Sequence, residues 1–227
     1  MLIVIENLLT RNDVDAFRER LGQAEWVDGA QSAGSRSVAV KQNLQVERNC
    51  PIGVELGNTI LRRLGDSPTF ASAALAEKIW PPVFNLYQDG GHYGTHVDSA
   101  LMRWPEANLT LRSDMSATIF LSDPDEYEGG ELLVEGQYGA QAVKLAAGDM
   151  VLYPSSSLHQ VTPVTSGQRI CAILWLQSAV ADNTRREMLF ELDQSIQALS
   201  FGRTVDDPDI DRLIHVYHNL VRHWAVV

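Results

Sequence analysis

Two periods alternate along this chain. Between residues 10 and 65 apolar side chains recur at helical spacing, first Val14, Phe17 and Leu21, then Leu56, Ile60, Leu61 and Leu64. Thr10 and Asp13 mark the start of the first helix, because a threonine hydroxyl caps a free N–H and an acid is favoured in the first turn. Gly22 ends that helix, Pro51 suits the first turn of the second, and Gly65 closes it. Arg62 and Arg63 read as the solvated face of the second helix. Ahead of both, residues 1–6 predict a strand. Residues 23–49 hold no sustained period, and Gly29, Ser32, Gly34, Ser35 and Ser37 predict a mobile loop, either bordering a substrate entrance or serving as a plain connector.

After Pro68 the composition becomes strand-rich. Residues 78–87 carry Ile79, Trp80, Val83, Phe84 and Tyr87, with two prolines that place the run at a sheet edge or bend its start. Residues 116–121, 131–135, 140–145, 150–153 and 169–176 read as further strands, separated by turns rich in Gly, Asp and Pro. Residues 101–111 form an insertion of no predicted shape, in which Trp104 is either a pocket wall or a loop anchor. Short strands at this density predict an all-β sandwich or barrel, here a jelly roll, also called a double-stranded β-helix. Beyond residue 178 the helical period returns. Asp182 caps a helix with Met188, Leu189, Leu192, Ile196 and Leu199, closed by Gly202. A last helix from Pro208 carries Ile210, Leu213, Ile214, Tyr217, Leu220, Val221 and Trp224. The expected fold is mainly β with flanking helices: an N-terminal elaboration over 1–77, a cupin-like jelly roll over 78–178, and a small C-terminal helical subdomain over 179–227. The two C-terminal helices are expected to pack on the jelly roll or on a second copy, making a homo-oligomer.

A length of 227 residues with 45% hydrophobic content suits one elaborated domain with a sizeable core. The net charge of −11 argues against a nucleic-acid partner, which clustered Lys and Arg would have to hold. One buried arginine is still enough for a small anion. Residues 1–6 have neither a basic lead nor an apolar run fit for a signal peptide or membrane span, so no membrane partner is expected. Cys50 and Cys171 are too few and too distant for a disulfide framework or a zinc ribbon, and predict free thiols in the reducing cytoplasm.

The chemistry centres on residues 87–98, YQDGGHYGTHVD. On an extended strand His96 and Asp98 point the same way, so an imidazole and a carboxylate can share one metal ion. His159 follows a strand-like run and supplies a third donor. Two histidines and one carboxylate form the facial triad of non-haem Fe(II) oxygenases, with positions left open for other ligands. A lone H-x-D also occurs in surface loops. Catalytic zinc with His₂Asp and a water fits the same donors, whereas a structural zinc site needs four closed ligands. Arg169 lies among Ile170, Ala172, Ile173 and Trp175, whose apolar surroundings make an unpaired charge costly. His215 and His218, one turn apart on the last helix, read as a solvated or partner-facing surface. His92, at a turn beside the ligands, is placed to shape the entrance.

The stretch through Tyr87, Gly90, Tyr93, His96 and Asp98 resembles the Tyr-x-x-Gly-x-x-Tyr-x-x-His-x-Asp pattern of the prolyl 4-hydroxylase-like Fe(II) and 2-oxoglutarate dioxygenases. Gly129-Gly130-Glu131, Leu158-His159, Pro163-Val164, Gly167, Arg169 and Trp175 match that family in order and spacing over residues 78–178. The whole layout, helical tail included, resembles the bacterial PKHD-type hydroxylases. The resemblance implies Fe(2+) held by His96, Asp98 and His159, and 2-oxoglutarate held through its far carboxylate by Arg169. It further implies a hydrogen bond from Tyr87, O2 as oxidant and L-ascorbate as a candidate reductant. The implied reaction hydroxylates a small-molecule or peptidyl substrate and releases succinate and CO2. The collagen-modifying branch carries lysine at the position of Arg169, so peptidyl proline is not carried over. Two other classes compete with this reading: a non-catalytic cupin-like metal-binding or sensing protein, and a zinc-dependent hydrolase.

Overall fold

Side-chain alternation along one ten-residue strand and its shorter partners decides which residues face the site. The computed structural model describes residues 1–32, 40–105 and 108–226. The early strands are β1 (Ile3–Ile5), β2 (Trp26–Asp28), β3 (Lys41–Gln42), β4 (Leu44–Val46), β5 (Ala76–Ile79), β6 (Val83–Tyr87) and β7 (His92–His96). Then follow β8 (Leu101–Trp104), β9 (Leu109–Arg112), β10 (Met115–Phe120), β11 (Tyr127–Gly129), β12 (Leu132–Gly136) and β13 (Gly139–Val143). The last are β14 (Met150–Pro154), β15 (His159–Val161), β16 (Val164–Gly167) and β17 (Arg169–Ser178). The α-helices are α1 (Arg11–Leu21), α2 (Pro51–Gly65), α3 (Pro68–Ala74), α4 (Asn183–Ser200) and α5 (Pro208–Trp224).

The larger sheet runs β1-β14-β10-β17-β6-β4-β2, with β5 also on β17, and the smaller runs β13-β12-β15-β7-β3. On one face of the larger sheet, Met115, Ala117, Ile119, Met150, Leu152, Ala172, Leu174 and Leu176 pack against Val14, Phe17, Leu21, Ile60, Leu64 and Phe70 of α1 to α3. The alternate residues Phe120, Val151, Tyr153 and Cys171 point the other way, joining Tyr87 and Leu132, Val134, Val143 and Val161 of the smaller sheet in a second core. Two facing sheets with helices at both chain ends are the expected jelly roll. Arg169 shares parity with Cys171, so period two sends it between the sheets.

The predicted cap of α1 is a full capping box: Thr10 Oγ1 accepts from Asp13 N at 3.1 Å, and Asp13 Oδ2 accepts from Thr10 N at 2.9 Å. Elsewhere the structure corrects the reading. Residues 23–49, where no sustained period was expected, hold three short strands: β4 and β3 form by pairing with the distant β6 and β7, and β2 pairs with β4. Gly29 and Ser32 sit in a short 3-10 turn, whereas Gly34, Ser35 and Ser37 lie outside the described residues. Helix α3 was not foreseen, because Thr69, Ala71 and Ser72 give it no apolar stripe; Ser67 caps it by accepting from Phe70 N at 3.2 Å. Strand β6 lies between β17 and β4 and not at an edge. The prolines Pro81 and Pro82, having no N–H to donate, occupy the break between β5 and β6. The insertion after residue 100 is a hairpin of β8 and β9.

The apolar stripe of α5 is only partly covered. Among its residues Ile210 is buried, while Phe201 and Val205 in the turn before it are almost fully exposed. No helix among the described residues is long and apolar enough to cross a membrane.

Candidate active site

Strand pairing builds the site. β15 lies antiparallel to β7 with His159 opposite His96, so the two imidazoles meet with ring centroids 4.2 Å apart. Asp98 follows just beyond β7. Its Oδ1 is 3.9 Å from His96 Nε2 and its Oδ2 is 3.7 Å from His159 Nε2. Ligand atoms of the three residues all lie within 4.8 Å of one another, the one such group of histidine, cysteine and acidic side chains among the described residues. The sequence-predicted donors are therefore brought together, and His215 and His218 are not part of any such group.

Each histidine is oriented by its own strand. His96 Nδ1 lies 2.8 Å from Gly94 O and His159 Nδ1 lies 3.0 Å from Ser157 O. A carbonyl only accepts, so both Nδ1 atoms carry the proton and both Nε2 lone pairs face Asp98. Burial, reinforced by the neighbouring His159, pulls His96 down to about 4, so at neutral pH it is an uncharged donor. Tyr93 stacks on His96 at 3.6 Å between centroids. This donor set, two imidazoles and one carboxylate converging in one corner, fits a divalent transition metal.

Arg169 stands at the start of β17, 1% exposed. Its Nη1 donates to Cys171 Sγ at 3.0 Å, and its guanidinium carbon lies 5.3 Å and 5.2 Å from the ring centroids of Tyr87 and Phe120. Nε and Nη2 have no hydrogen-bond partner among the described residues, and no described carboxylate forms an ion pair with it. Removing a cation from water costs several kcal/mol even after relaxation. A desolvated cation–π contact returns only about 2 kcal/mol. The remaining N–H groups therefore call for an anion. Tyr87 is buried beside it, and burial raises its phenol well above the ordinary range, so it stays a neutral donor. A cavity of about 40 Å³ is lined by Tyr87, His96, Asp98, His159 and Arg169 together. It opens past Tyr93, His96, Asp98, Ile173 and Trp175 into a cleft of about 780 Å³.

The Gly-Gly-Glu turn holds this arrangement from behind. Gly129 has φ 72°, and a Cβ there would sit 2.0 Å from Pro163 O. Gly130 has φ 67°, and its Cβ would press on Val164 and on Arg169 Cδ. Glu131 locks the turn to Thr162: Glu131 N donates to Thr162 Oγ1 at 2.9 Å, and that hydroxyl donates back to Glu131 Oε2 at 2.5 Å. Gly129→Ala should cost about 1–3 kcal/mol from the left-handed backbone alone. Gly136→Ala, which meets only Gly139 O at 3.5 Å, is the control. Urea midpoints that fall equally for the two variants would contradict this role for Gly129.

Of the two readings left open for Trp104 the structure shows the pocket wall, whereas Arg48, Lys41 and Ser116 escaped the sequence reading. Trp104 is a cleft wall: its ring lies 5.8 Å from that of Trp80, with the Arg48 guanidinium 5.3 Å and 5.7 Å from the two centroids. Lys41 reaches over Tyr93 at 5.1 Å, and burial lowers it to about 8. Ser116 donates to Asp98 Oδ2. Of these three, Ser116 alone left a trace, as the polar first residue of the strand read over residues 116–121.

Residues 82–177 match the 2OG-Fe(II) oxygenase superfamily model, and residues 183–225 match the PKHD-type hydroxylase C-terminal domain. A PKHD-type hydroxylase from Teredinibacter turnerae is 57% identical over 225 residues, spanning 99% of each chain. Among solved structures, an oxidoreductase of the 2OG-Fe(II) oxygenase family from Burkholderia pseudomallei superposes with TM-score 0.57 at 17% identity, over 78% of this chain and 85% of that one. A Pseudomonas putida prolyl-4-hydroxylase gives 0.52 at 18% identity, over 78% and 92%. The two structural likenesses carry the fold.

Proposed function

The chain belongs to the PKHD-type hydroxylases of the 2OG-Fe(II) oxygenase superfamily, and on that premise we propose that it hydroxylates a C–H bond of a substrate seated in the large cleft, converting 2-oxoglutarate to succinate and CO2. His96, Asp98 and His159 would hold Fe(2+), one donor atom each. Bound there, iron with 2-oxoglutarate and O2 supplies the oxidising power. The protein's part is to place the reactants. Nδ1 anchoring keeps both Nε2 lone pairs on the metal side, and the Arg169 fork meets the far carboxylate of 2-oxoglutarate through two N–H groups. The buried Tyr87 phenol adds a neutral donor on the same side. Tyr93, Trp175 and the Trp80, Arg48 and Trp104 wall border the route by which a small-molecule or peptidyl substrate arrives.

The observation that carries this reading is the buried Arg169 with two unpartnered N–H groups in the same cavity as the donor triad. A zinc hydrolase or a metal-sensing cupin has no use for it. Succinate formation should require Fe(II), 2-oxoglutarate and O2 together, should not be supported by Zn(II), and should rise when the correct substrate is added from a panel of metabolites and peptides. L-ascorbate is expected to prolong the linear phase by keeping the iron reduced. Activity with Zn(II) in the absence of O2 would replace this proposal with the hydrolase reading.

A further inference from the structure

Three serines that the reaction described above does not use form a chain ending on the carboxylate of the donor triad. Ser116 Oγ is 2.5 Å from Asp98 Oδ2, Ser155 Oγ is 2.7 Å from Ser116 Oγ, and Ser113 Oγ is 2.8 Å from Ser155 Oγ. Ser116 and Ser155 are each only 2% exposed, so neither finds water in place of these partners.

The direction of the chain follows from what each group can give. An ionised carboxylate only accepts, so the single hydroxyl proton of Ser116 goes to Asp98. Ser116 must then accept from Ser155, whose own proton is thereby spent, and Ser155 accepts from Ser113. Every O–H points toward Asp98. Aligned hydroxyls polarise one another, which strengthens the last and shortest bond.

The chain is fixed by the fold. Ser116 is in β10, opposite Tyr153 of β14, and Ser155 follows β14 directly. Ser155 N donates to Asp114 O at 3.2 Å, which brings the end of β14 against the residue that leads into β10. On β10 Ser116 faces inward while Met115 and Ala117 face the helices. Its place on the site side therefore comes from strand parity.

We propose that Ser116 is a positioning residue that holds Asp98 as a one-oxygen metal ligand, with Ser155 and Ser113 backing it; this rests on the metal role proposed above. The two oxygens stand almost equally near the histidines, Oδ1 3.9 Å from His96 Nε2 and Oδ2 3.7 Å from His159 Nε2, and it is the hydrogen bond from Ser116 to Oδ2 that leaves Oδ1 as the donor. The consequence is coordination space. Three ligands giving one atom each leave room for 2-oxoglutarate and O2, whereas a carboxylate giving both oxygens takes up one of those positions.

The test is anaerobic titration of the full-length apoprotein with Co(II), read by its d–d spectrum, and with Fe(II), for wild type, Ser116→Ala, Ser116→Thr, Ser155→Ala and Ser113→Ala. Groups that orient a metal ligand typically account for about 10–100-fold in affinity. Ser116→Ala should weaken metal binding about tenfold or more and change the d–d bands, with the apoprotein melting close to wild type. Ser116→Thr, which keeps the hydroxyl, should restore both, and the loss should shrink from Ser116→Ala through Ser155→Ala to Ser113→Ala. A Ser116→Ala protein with affinity within about twofold of wild type and an unchanged spectrum overturns the assignment. So does an equal loss in Ser116→Thr, which would point to packing. Should Ser116→Ala not fold, Ser155→Ala decides, with weakened binding in favour and wild-type binding against. Wild type that binds neither metal overturns this inference and the proposed function together. Wild type that binds metal and turns over 2-oxoglutarate beside an equally competent Ser116→Ala overturns only this one.

Discussion

His159→Ala should abolish Fe(II)-dependent turnover of 2-oxoglutarate while the chain still folds. The imidazole is 5% exposed and touches the rings of His96 and Tyr153, with centroids 4.2 Å and 5.2 Å away. Its Nδ1 anchor on Ser157 O is a local bond within two residues. Truncation therefore opens a pocket that already borders the site cavity, and the stability loss should stay within the ordinary range of about 0.5–3 kcal/mol. The metal loses much more. With one of three donors gone, His96 and Asp98 remain as a two-point site without the opposing imidazole that the β7 and β15 pairing supplies. Iron per chain, measured by atomic emission after desalting, should fall toward background, and succinate should become undetectable above the iron-only control. A folded variant that retains iron and wild-type turnover would remove His159 from the ligand set.

Arg169→Leu should separate binding from stability. A charge-assisted hydrogen bond contributes roughly 1.5–3 kcal/mol, so its loss predicts a rise in the KM for 2-oxoglutarate of at least about tenfold. Leucine is shorter than arginine and leaves some space, but it removes a buried charge without an ionic partner, whose desolvation cost of several kcal/mol offsets that loss. The apoprotein should thus melt at or above the wild-type temperature even as it loses its co-substrate. Arg169→Lys should fall between, because an ammonium supplies the charge without the planar fork. An unchanged KM would place the anion site elsewhere. A large drop in Tm with no change in KM would make Arg169 a structural residue.

What was legible in the sequence follows the range of the interactions concerned. Thr10 and Asp13, three residues apart, announced the start of a helix because a cap is satisfied within one turn. His96 and Asp98 could be picked out because strand parity survives without knowledge of the partner strand, and Arg169 because the motif resemblance places a basic residue ten positions after His159. Strands β2, β3 and β4 were not legible, being two or three residues long: β4 and β3 are held by β6 and β7, about forty and fifty residues on, and β2 pairs in turn with β4. The prolines at 81 and 82 left an edge or a bend open, and the structure shows the bend: they interrupt the run between β5 and β6, and β6 enters the middle of the sheet. The serine chain on Asp98 and the Trp80, Arg48 and Trp104 wall join segments that only the tertiary fold brings together.

Anaerobic addition of Fe(II) and then 2-oxoglutarate to the metal-free protein tests the central claim most directly, because it reads the triad and Arg169 at once and needs no knowledge of the substrate. The expected result is a visible metal-to-ligand charge-transfer band that saturates at one iron per chain, appears only when both are present, and is lost in His159→Ala. Absence of the band from well-folded wild-type protein at saturating iron and 2-oxoglutarate, or a band of full intensity in His159→Ala, would contradict it.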